Sequence, residues 1–305
     1  MDQQSPRRAR TMAETGELLG RMFRDDEIGA SIQTYRPRPT DVIISPFGKC
    51  GTTWLQQIFH TLRADDEMDF DDISRVVPWI ETAACLGLDL DAPQRAEPRG
   101  FKSHLAYDQM PKGARYVVAF REPKDAMVSL HRFMEGWFFE LGTVSLDDFA
   151  AARLAGSDDT HGYWHHLNSW WAERDNPDVL LLSYELMTAE PEASIRRVAA
   201  FCGMPLDQAR LARTLERSSL AYMLAYKDRF DDAMLREVAQ TRCNLPPGGD
   251  SAKVRKGGSG GHRTEMSPAL AAALDAKWAQ YVAPRTGFAD YAALDSALRA
   301  RSALS

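Results

Sequence analysis

Residues 41–62 constrain the possible folds of this chain more than any other segment. A short β-branched run at 41–45 (DVIIS) precedes the loop 46–53 (PFGKCGTT), and apolar residues then recur at helical spacing over 54–62 (WLQQIFHTL). In a strand, loop and helix of this kind, the free N–H groups at the start of the helix can bind an anion. The segment therefore predicts an anion site, although an ordinary strand-to-helix turn has the same pattern.

Two further apolar runs extend this unit to a sheet. Residues 116–120 (YVVAF) end at Arg121 and are followed by a helical pattern that opens at Pro123, and residues 179–182 (VLLL) are followed by a helical stretch over 192–201. Continuous apolar strands that alternate with helices indicate a parallel sheet covered on both faces. We expect an α/β fold, a three-layer sandwich with a central parallel β-sheet flanked by helices, as in P-loop nucleotide-binding proteins.

Composition narrows the class of protein. The chain has 305 residues, 44% hydrophobic and 26% charged, with a net charge of −6 and no long basic run, so an extended nucleic-acid surface is not expected. Its four cysteines are far apart and show neither zinc-ligand nor disulfide-scaffold spacing. No apolar run approaches 18 residues. These features predict a soluble, cytoplasmic protein without a metal site or membrane partner.

The sequence also suggests how the chain is organised. Residues 1–36 are polar and mixed, with one helix expected around 11–23, and residues 37–305 are expected to form a single domain. Residues 228–250 and 253–263 are rich in glycine, proline or basic side chains, which predicts a mobile lid over a ligand. An amphipathic helix is expected from Ser267 to about Val282.

The loop at 46–53 carries donors suited to a phosphate-type anion. Lys49 contributes a charge, and Thr52 and Thr53 contribute hydroxyl groups. The loop does not match G-x-x-x-x-G-K-[ST], and Cys50 stands where a magnesium-binding hydroxyl would follow the lysine. A nucleotide kinase or nucleoside triphosphatase is therefore a weaker alternative.

Several segments resemble one enzyme family. Residues 49–54 (KCGTTW) resemble the PKSGTTW loop of cytosolic-type sulfotransferases, which use 3'-phosphoadenosine 5'-phosphosulfate (PAPS) as donor. The other family segments follow in the same order, at 77–81 (VPWIE), 101–104 (FKSH), 118–125 (VAFREPKD) with Ser129, 162–171, 182–185 (LSYE) and 255–257 (RKG). Together they span roughly residues 40–270.

The resemblance implies a role for each matched residue. Catalysis would depend on His104 as general base, assisted by Lys49 and Lys102. Binding of PAPS, or of its product 3'-phosphoadenosine 5'-phosphate (PAP), would involve Lys49, Cys50, Gly51, Thr52, Thr53, Trp54, Arg121, Ser129, Tyr184, Ser218, Leu220, Arg255, Lys256 and Gly257. The acceptor, a small aromatic or apolar alcohol or amine, would contact Trp79, Phe133, Trp137, Phe138 and His104. No metal would be required.

The chain departs from the family pattern in three places. Residues 260–263 (GGHR) replace the usual GDWK, and 218–220 (SSL) replace TSF, so adenine stacking would rest mainly on Trp54. The family's dimerisation motif is degraded over 263–272, which predicts a monomer or a weak homodimer. A catalytically inactive PAP-binding regulatory protein is a further alternative, against which the retained His104 argues.

Overall fold

The computed structural model describes residues 5–64, 68–249 and 253–302. Within these ranges the strands are β1 (Val42–Ile44), β2 (Gly100–Lys102), β3 (Arg115–Phe120) and β4 (Val179–Ser183). The helices are α1 (Met12–Met22), α2 (Asp25–Thr34), α3 (Thr52–Arg63), α4 (Ala83–Leu86), α5 (Pro123–Met134), α6 (Leu146–Ala155), α7 (Gly162–Ala172), α8 (Tyr184–Ala189), α9 (Pro191–Cys202), α10 (Gln208–Arg217), α11 (Leu220–Ala225), α12 (Ala233–Cys243), α13 (His262–Glu265), α14 (Pro268–Tyr281), α15 (Ala283–Thr286) and α16 (Tyr291–Ser302). Short 3₁₀ turns lie at Ile73–Arg75, Ile80–Thr82, Tyr107–Gln109 and Lys227–Phe230.

The four strands form one sheet in the order β2-β1-β3-β4, and every neighbouring pair is parallel. The central strand β1 pairs on both sides, with Val42 opposite Gly100 of β2 and Arg115 of β3. The carboxyl ends of all four strands therefore lie along one edge of the sheet.

Side chains of the strands alternate between two buried cores. Ile43 and Val118 pack in one cluster with aromatic residues of α7 and α14, whereas Ile44 and Val117 pack in another with apolar residues of α3 and α9. Because successive residues of a strand face opposite sides, both faces of the sheet are covered by helices. The predicted three-layer α/β sandwich is confirmed.

The apolar runs predicted three of the strands within about a residue at each end, as β1, β3 and β4. Strand β2 does not stand out as an apolar run, because its sequence GFK contains one large apolar residue and ends in Lys102. Its lysine is nevertheless buried, at 2% exposure.

The sheet is tied at its amino-terminal edge by a buried ion pair. Arg99 donates to both carboxylate oxygens of Asp41, at 2.9 and 2.7 Å, and both side chains are at most 1% exposed. Tyr35 donates a third hydrogen bond to Asp41 at 3.0 Å. The cluster connects β1, the residue before β2 and the end of the amino-terminal segment.

Residues 5–36 pack against the rest of the chain. Helix α1 occupies the place predicted for a helix at 11–23, and its Leu18 and Met22 are buried beside Trp137 and Leu235. The backbone of Ala9 bonds with Phe138 and Glu140, at 3.0 and 2.8 Å. The division of the chain at residue 36 stays a prediction.

The segment predicted to form a lid contains regular structure. Helix α12 lies within it, and Leu235, Ala239 and Cys243 form a buried stripe at i, i+4 and i+8. Residues 250–252 of the same segment lie outside the described part, and ordering on ligand binding stays a prediction. No helix among the described residues is long and apolar enough to cross a membrane.

Candidate active site

A cavity of about 1040 Å³ opens at the carboxyl edge of the sheet. Each strand delivers one chemically important side chain to it: Lys49 after β1, Lys102 at the end of β2, Arg121 after β3 and Tyr184 after β4. Ligands of open parallel sheets bind at this edge, so residues remote in sequence meet where a ligand is expected.

The cavity brings together all but one of the residues singled out from the sequence. Its lining includes Lys49, Gly51, Thr52, Thr53, Trp54, Trp79, Lys102, His104, Arg121, Ser129, Phe133, Trp137, Phe138, Tyr184, Ser218, Leu220, Arg255, Lys256 and Gly257. Cys50 is the exception: its side chain is fully buried outside this lining, and its N–H donates to the Phe47 carbonyl at 3.0 Å. The structure therefore directs neither the thiol nor the backbone N–H of Cys50 into the cavity.

The loop after β1 turns sharply before helix α3 begins at Thr52. Lys49 and Gly51 both have positive φ, at 69° and 96°. A Cβ on Gly51 would lie 3.2 Å from the Tyr184 ring, so this position requires glycine for both conformation and space. The turn exposes the first N–H groups of α3 to the cavity.

The hydroxyl of Thr52 tests whether this loop suits an anion. Thr52 Oγ1 is buried, lines the cavity and has no hydrogen-bond partner among the described residues. A buried hydroxyl without a hydrogen-bond partner costs folding free energy unless a bound ligand supplies that partner. Together with Lys49 and the start of α3, it fits a phosphate-type group.

Arg121 links three parts of the site. It donates to the Lys49 carbonyl at 2.8 Å and to the Gly258 carbonyl at 3.1 Å, and its guanidinium lies 4.2 Å above the Tyr184 ring. The side chain thus braces the loop after β1 against the glycine-rich segment that carries Arg255.

The turn that follows the basic segment 255–257 is anchored to helix α5. Asp125 accepts from the N–H groups of Gly260 and His262 at 2.6 and 3.0 Å, and from His262 Nδ1 at 2.8 Å. Arg255 and Lys256 are exposed at the cavity mouth, and Ser129 approaches from α5. The cavity thus has a second set of cationic and hydroxyl side chains besides those of the loop after β1.

His104 is held by two hydrogen bonds. Its ring Nδ1 lies 2.7 Å from the Pro46 carbonyl, and its backbone N–H donates to the Glu81 carboxylate Oε1 at 2.7 Å. A carbonyl can only accept, so Nδ1 carries the proton and Nε2 is left with a lone pair. The Trp79 ring packs edge-on against the imidazole at 5.1 Å between centroids.

Burial is the main cause that lowers the pKa of His104 well below its ordinary value of 6.5. The charge on Lys102 lowers this pKa further, whereas the bond to the Pro46 carbonyl acts in the opposite direction. The imidazole is therefore neutral near pH 7, which is the state a general base requires.

The two predicted catalytic lysines also have altered pKa values. Burial, followed by the charge on Lys253, lowers the pKa of both Lys49 and Lys102 to about 7. Each ammonium lies over an aromatic ring, Lys49 at 4.3 Å from Phe133 and Lys102 at 3.6 Å from Trp79. An anion in the cavity would favour the charged form of both lysines.

Asp232 and Lys253 are among the charged cavity residues that were missed from the sequence, together with Asp25, Arg153 and Glu265. Asp232 and Lys253 form an ion pair with side chains 3% and 9% exposed. Lys253 belongs to none of the family motifs. Asp232 lies 21 residues before it, in a segment that was expected to form a lid. Spacing alone could not have paired them.

The apolar part of the cavity lies next to His104. Phe133 and Trp137 meet edge to face at 5.2 Å, and Trp137 packs on Phe138 at 4.6 Å. Phe23, at the end of α1, also lines the cavity and lies 6.1 Å from Trp79. The amphipathic pattern of residues 12–23 was the sequence signal that could have included it.

The remaining wall combines rings and short side chains. Trp54 meets Tyr184 edge to face at 5.7 Å. The Ser218 hydroxyl donates to the Thr214 carbonyl at 2.6 Å, and Leu220 lies 41% exposed above Gly257. This wall offers flat and apolar surface in the same cavity as Lys49, Arg121 and Arg255.

Comparison with known proteins accords with this geometry. The sulfotransferase domain model matches residues 39–283, which include each of the motifs described above. The chain belongs to the sulfotransferase domain family. This sulfotransferase is 27% identical over 204 residues to sulfotransferase 1B1 of Mus musculus, an alignment covering 63% of this chain and 68% of the relative. It is 25% identical over 281 residues to luciferin sulfotransferase of Photinus pyralis, covering 80% and 72%.

Solved structures share the fold of this sulfotransferase. A retinol dehydratase in complex with androsterone and the inactive cofactor PAP superposes with a TM-score of 0.68 at 19% identity, covering 88% of this chain and 93% of that chain. A mouse sulfotransferase complexed with PAP gives a TM-score of 0.67 at 19% identity, covering 91% and 94%. The sequence-based assignment to the family and the fold is confirmed.

Proposed function

We propose that this sulfotransferase transfers a sulfuryl group from PAPS to the hydroxyl or amine of an apolar, aromatic acceptor, with His104 as general base. The observation that carries the proposal is the placement of His104. Its Nδ1 is held by the Pro46 carbonyl of the anion-binding loop, and the same side chain packs on Trp79 of the apolar wall. A base thus lies between the region suited to an anion and the region suited to the acceptor.

The phosphosulfate end of the donor would be held by the loop after β1. The partnerless hydroxyl of Thr52, the first N–H groups of α3 and the Lys49 ammonium can surround it. Cys50 is left out of this set because its thiol is buried and its N–H donates to the Phe47 carbonyl. When bound, PAPS would supply the sulfuryl group and a phosphate leaving group.

The 3'-phosphate would be held by Arg121, Ser129, Arg255 and Lys256. This second cationic group distinguishes PAPS from ATP, which has no 3'-phosphate. Trp54 would stack on the adenine, with Tyr184, Ser218, Leu220 and Gly257 nearby.

The proton of the acceptor would pass to Nε2 of His104. That nitrogen carries the lone pair because Nδ1–H is held by Pro46, and the lowered pKa keeps the ring neutral. Lys102 and Lys49 would stabilise negative charge that develops during an in-line displacement. These residues supply orientation, proton removal and charge stabilisation, so we propose that no metal is required.

The acceptor would lie against the apolar wall of Trp79, Phe133, Trp137 and Phe138, closed by Phe23. Similar structures hold the apolar alcohols androsterone and retinol. A wall of rings favours a flat acceptor of this chemical class. We therefore expect phenols and polycyclic alcohols to be used, in a cytoplasmic enzyme that is a monomer or a weak homodimer.

The proposal is tested by ligand binding and turnover. PAP should raise the melting temperature without Mg²⁺, whereas ATP should have little effect, and labelled sulfate should transfer from PAPS to a phenol or a polycyclic alcohol. Stabilisation by ATP and Mg²⁺ instead would indicate a kinase or nucleoside triphosphatase. PAP binding without transfer to any acceptor in a broad panel would indicate a PAP-binding regulatory protein.

A further inference from the structure

Three lysines of the cavity are arranged around one carboxylate. Asp232 forms a buried ion pair with Lys253, and Lys49 and Lys102 line the same cavity. After burial, Lys253 is the largest charged influence on both Lys49 and Lys102, and it also acts on His104. All three ammonium groups thus line one cavity, where the charge on Lys253 opposes the charges on Lys49 and Lys102.

The charges in this cluster do not balance. Burial alone would raise the pKa of Asp232, but Lys253 and Lys102 outweigh it and the carboxylate stays ionised. Glu81 and Asp72 also act on Lys102, and Asp231 lies near Lys253, but burial raises the pKa of Glu81 and Asp231 and so favours their uncharged forms. The ammonium groups therefore repel one another in a buried site where charges are poorly screened. A multiply charged anion in the cavity would relieve this repulsion.

A purely structural ion pair is the simplest alternative reading of Asp232 and Lys253. Buried pairs of that kind add little stability, and these two side chains line the cavity wall. Asp232 also has a left-handed backbone, with φ 54° and ψ 46°, a conformation that costs energy for a residue other than glycine. Such outliers concentrate at ligand sites.

We propose that Lys253 is a third cation for the phosphosulfate end of the donor, and that Asp232 holds Lys253 until the donor binds. In the bound state Lys253 exchanges its carboxylate partner for an oxygen of the donor, without any covalent step. The inference rests on the proposed function, because it takes PAPS as the donor. It adds a binding residue that lies outside the motifs of the family resemblance.

Asp232 and the donor then compete for the same ammonium. Removing the Asp232 charge should strengthen donor binding, and removing the Lys253 charge should weaken it. A structural pair predicts a different result, since loss of either partner would disturb the cavity and weaken binding in both cases. The sign of the two effects separates the explanations.

The test measures PAP binding by titration calorimetry for the D232N and K253Q variants at pH 7. Asparagine tolerates the left-handed backbone of position 232, so D232N removes the charge with little change of shape. We expect D232N to bind PAP several-fold more tightly, and K253Q to bind it about tenfold more weakly, as for loss of one charge-assisted hydrogen bond. R196Q, which breaks an exposed pair with Glu192 away from the cavity lining, should leave PAP affinity unchanged.

Weaker binding in both variants, tighter binding in both, or no change in either would overturn the role of Lys253. If D232N does not fold, as judged by circular dichroism, the K253R variant decides the question: it should keep PAP affinity within about threefold, and a loss as large as that of K253Q would overturn the proposal. If the unaltered protein fails to bind PAP at all, the proposed function itself fails. The two failures are therefore distinguishable.

Discussion

His104 Nδ1 lies 2.7 Å from the carbonyl oxygen of Pro46, so the proposed base is attached to the loop proposed to bind the donor anion. The contact fixes the tautomer of the ring, because the carbonyl accepts a hydrogen bond only from a nitrogen that carries a proton. It also means that movement of the loop after β1 would move the imidazole. The hydrogen bond therefore connects the proposed base to the proposed anion-binding loop.

Replacing His104 should separate turnover from donor binding. We expect H104A and H104N to reduce kcat by about 10²- to 10⁴-fold, the contribution typical of a positioned general base, because no other side chain is proposed to accept the proton. PAP affinity, measured by calorimetry, should stay within about threefold, since His104 is assigned to the acceptor side. Full sulfuryl transfer to a phenol by H104A would contradict the assignment.

The pH profile gives a second check on His104. Its folded-state pKa lies well below 6.5, so the ring stays neutral as pH falls through that value. In the unaltered protein, the acid limb of kcat/KM should therefore lie below pH 6.5. A loss of activity centred at or above pH 6.5, with the protein still folded, would show that the pKa of His104 is not lowered.

Donor binding should be coupled to proton uptake. Lys49 and Lys102 have pKa values of about 7 in the free protein, and a bound anion would raise both because it favours the ammonium form. Above pH 7 the free lysines lose protons that the complex retains, so PAP affinity should fall as pH rises. Between pH 7 and 9 we expect a decrease of about tenfold or more.

Calorimetry in buffers of different ionisation enthalpy measures this proton uptake directly. At pH 8 the unaltered protein should take up protons on binding PAP, and K102M should take up fewer. Affinity that does not change between pH 7 and 9 would mean that these lysines are already charged in the free protein.

The ion pair between Asp41 and Arg99 should be a major determinant of stability. The D41N variant leaves a buried guanidinium without its carboxylate, and breaking such a pair costs about 3–5 kcal/mol. Urea unfolding should show this loss in the free energy of unfolding, with R196Q as the control that changes it by at most about 1 kcal/mol because its pair is exposed. Equal stability of D41N and R196Q would contradict the expectation.

Gly51 should be intolerant of even one added carbon. In G51A the methyl group would lie 3.2 Å from the Tyr184 ring, and alanine disfavours the positive φ of this residue. We expect PAP affinity to fall by about tenfold or more as the loop shifts. The matched control is G29A in α2, where the added Cβ meets nothing within 4 Å; equal PAP binding by the two variants would show that the loop accommodates the change.

Much of the fold and site followed from local patterns. Strands β1, β3 and β4 lie in continuous apolar runs; Arg121 and Tyr184 directly follow β3 and β4, and Lys49 lies in the loop after β1. Parallel strands bring such positions to one edge, so their convergence could be expected before the cavity was seen. The family resemblance added roles that spacing alone could not supply.

Other features depend on contacts distant in sequence. Asp232 and Lys253 became partners because helix α12 places the first beside the second, although neither lies in a recognisable motif. Phe23 reaches the cavity only because α1 packs against α12 and the region around Trp137. For Cys50 the sequence suggested a contact that the fold does not provide. Its place in the matched loop predicted a ligand contact, but its side chain is buried in the protein interior.

Helix α1 and the residue after it bring side chains to the cavity from outside the matched family domain. Phe23 and Leu19 line the cavity, yet both precede residue 39, where the match to the family begins. Substitutions in this leading stretch should therefore change the wall proposed for the acceptor, whereas every residue proposed to bind PAPS lies after residue 39.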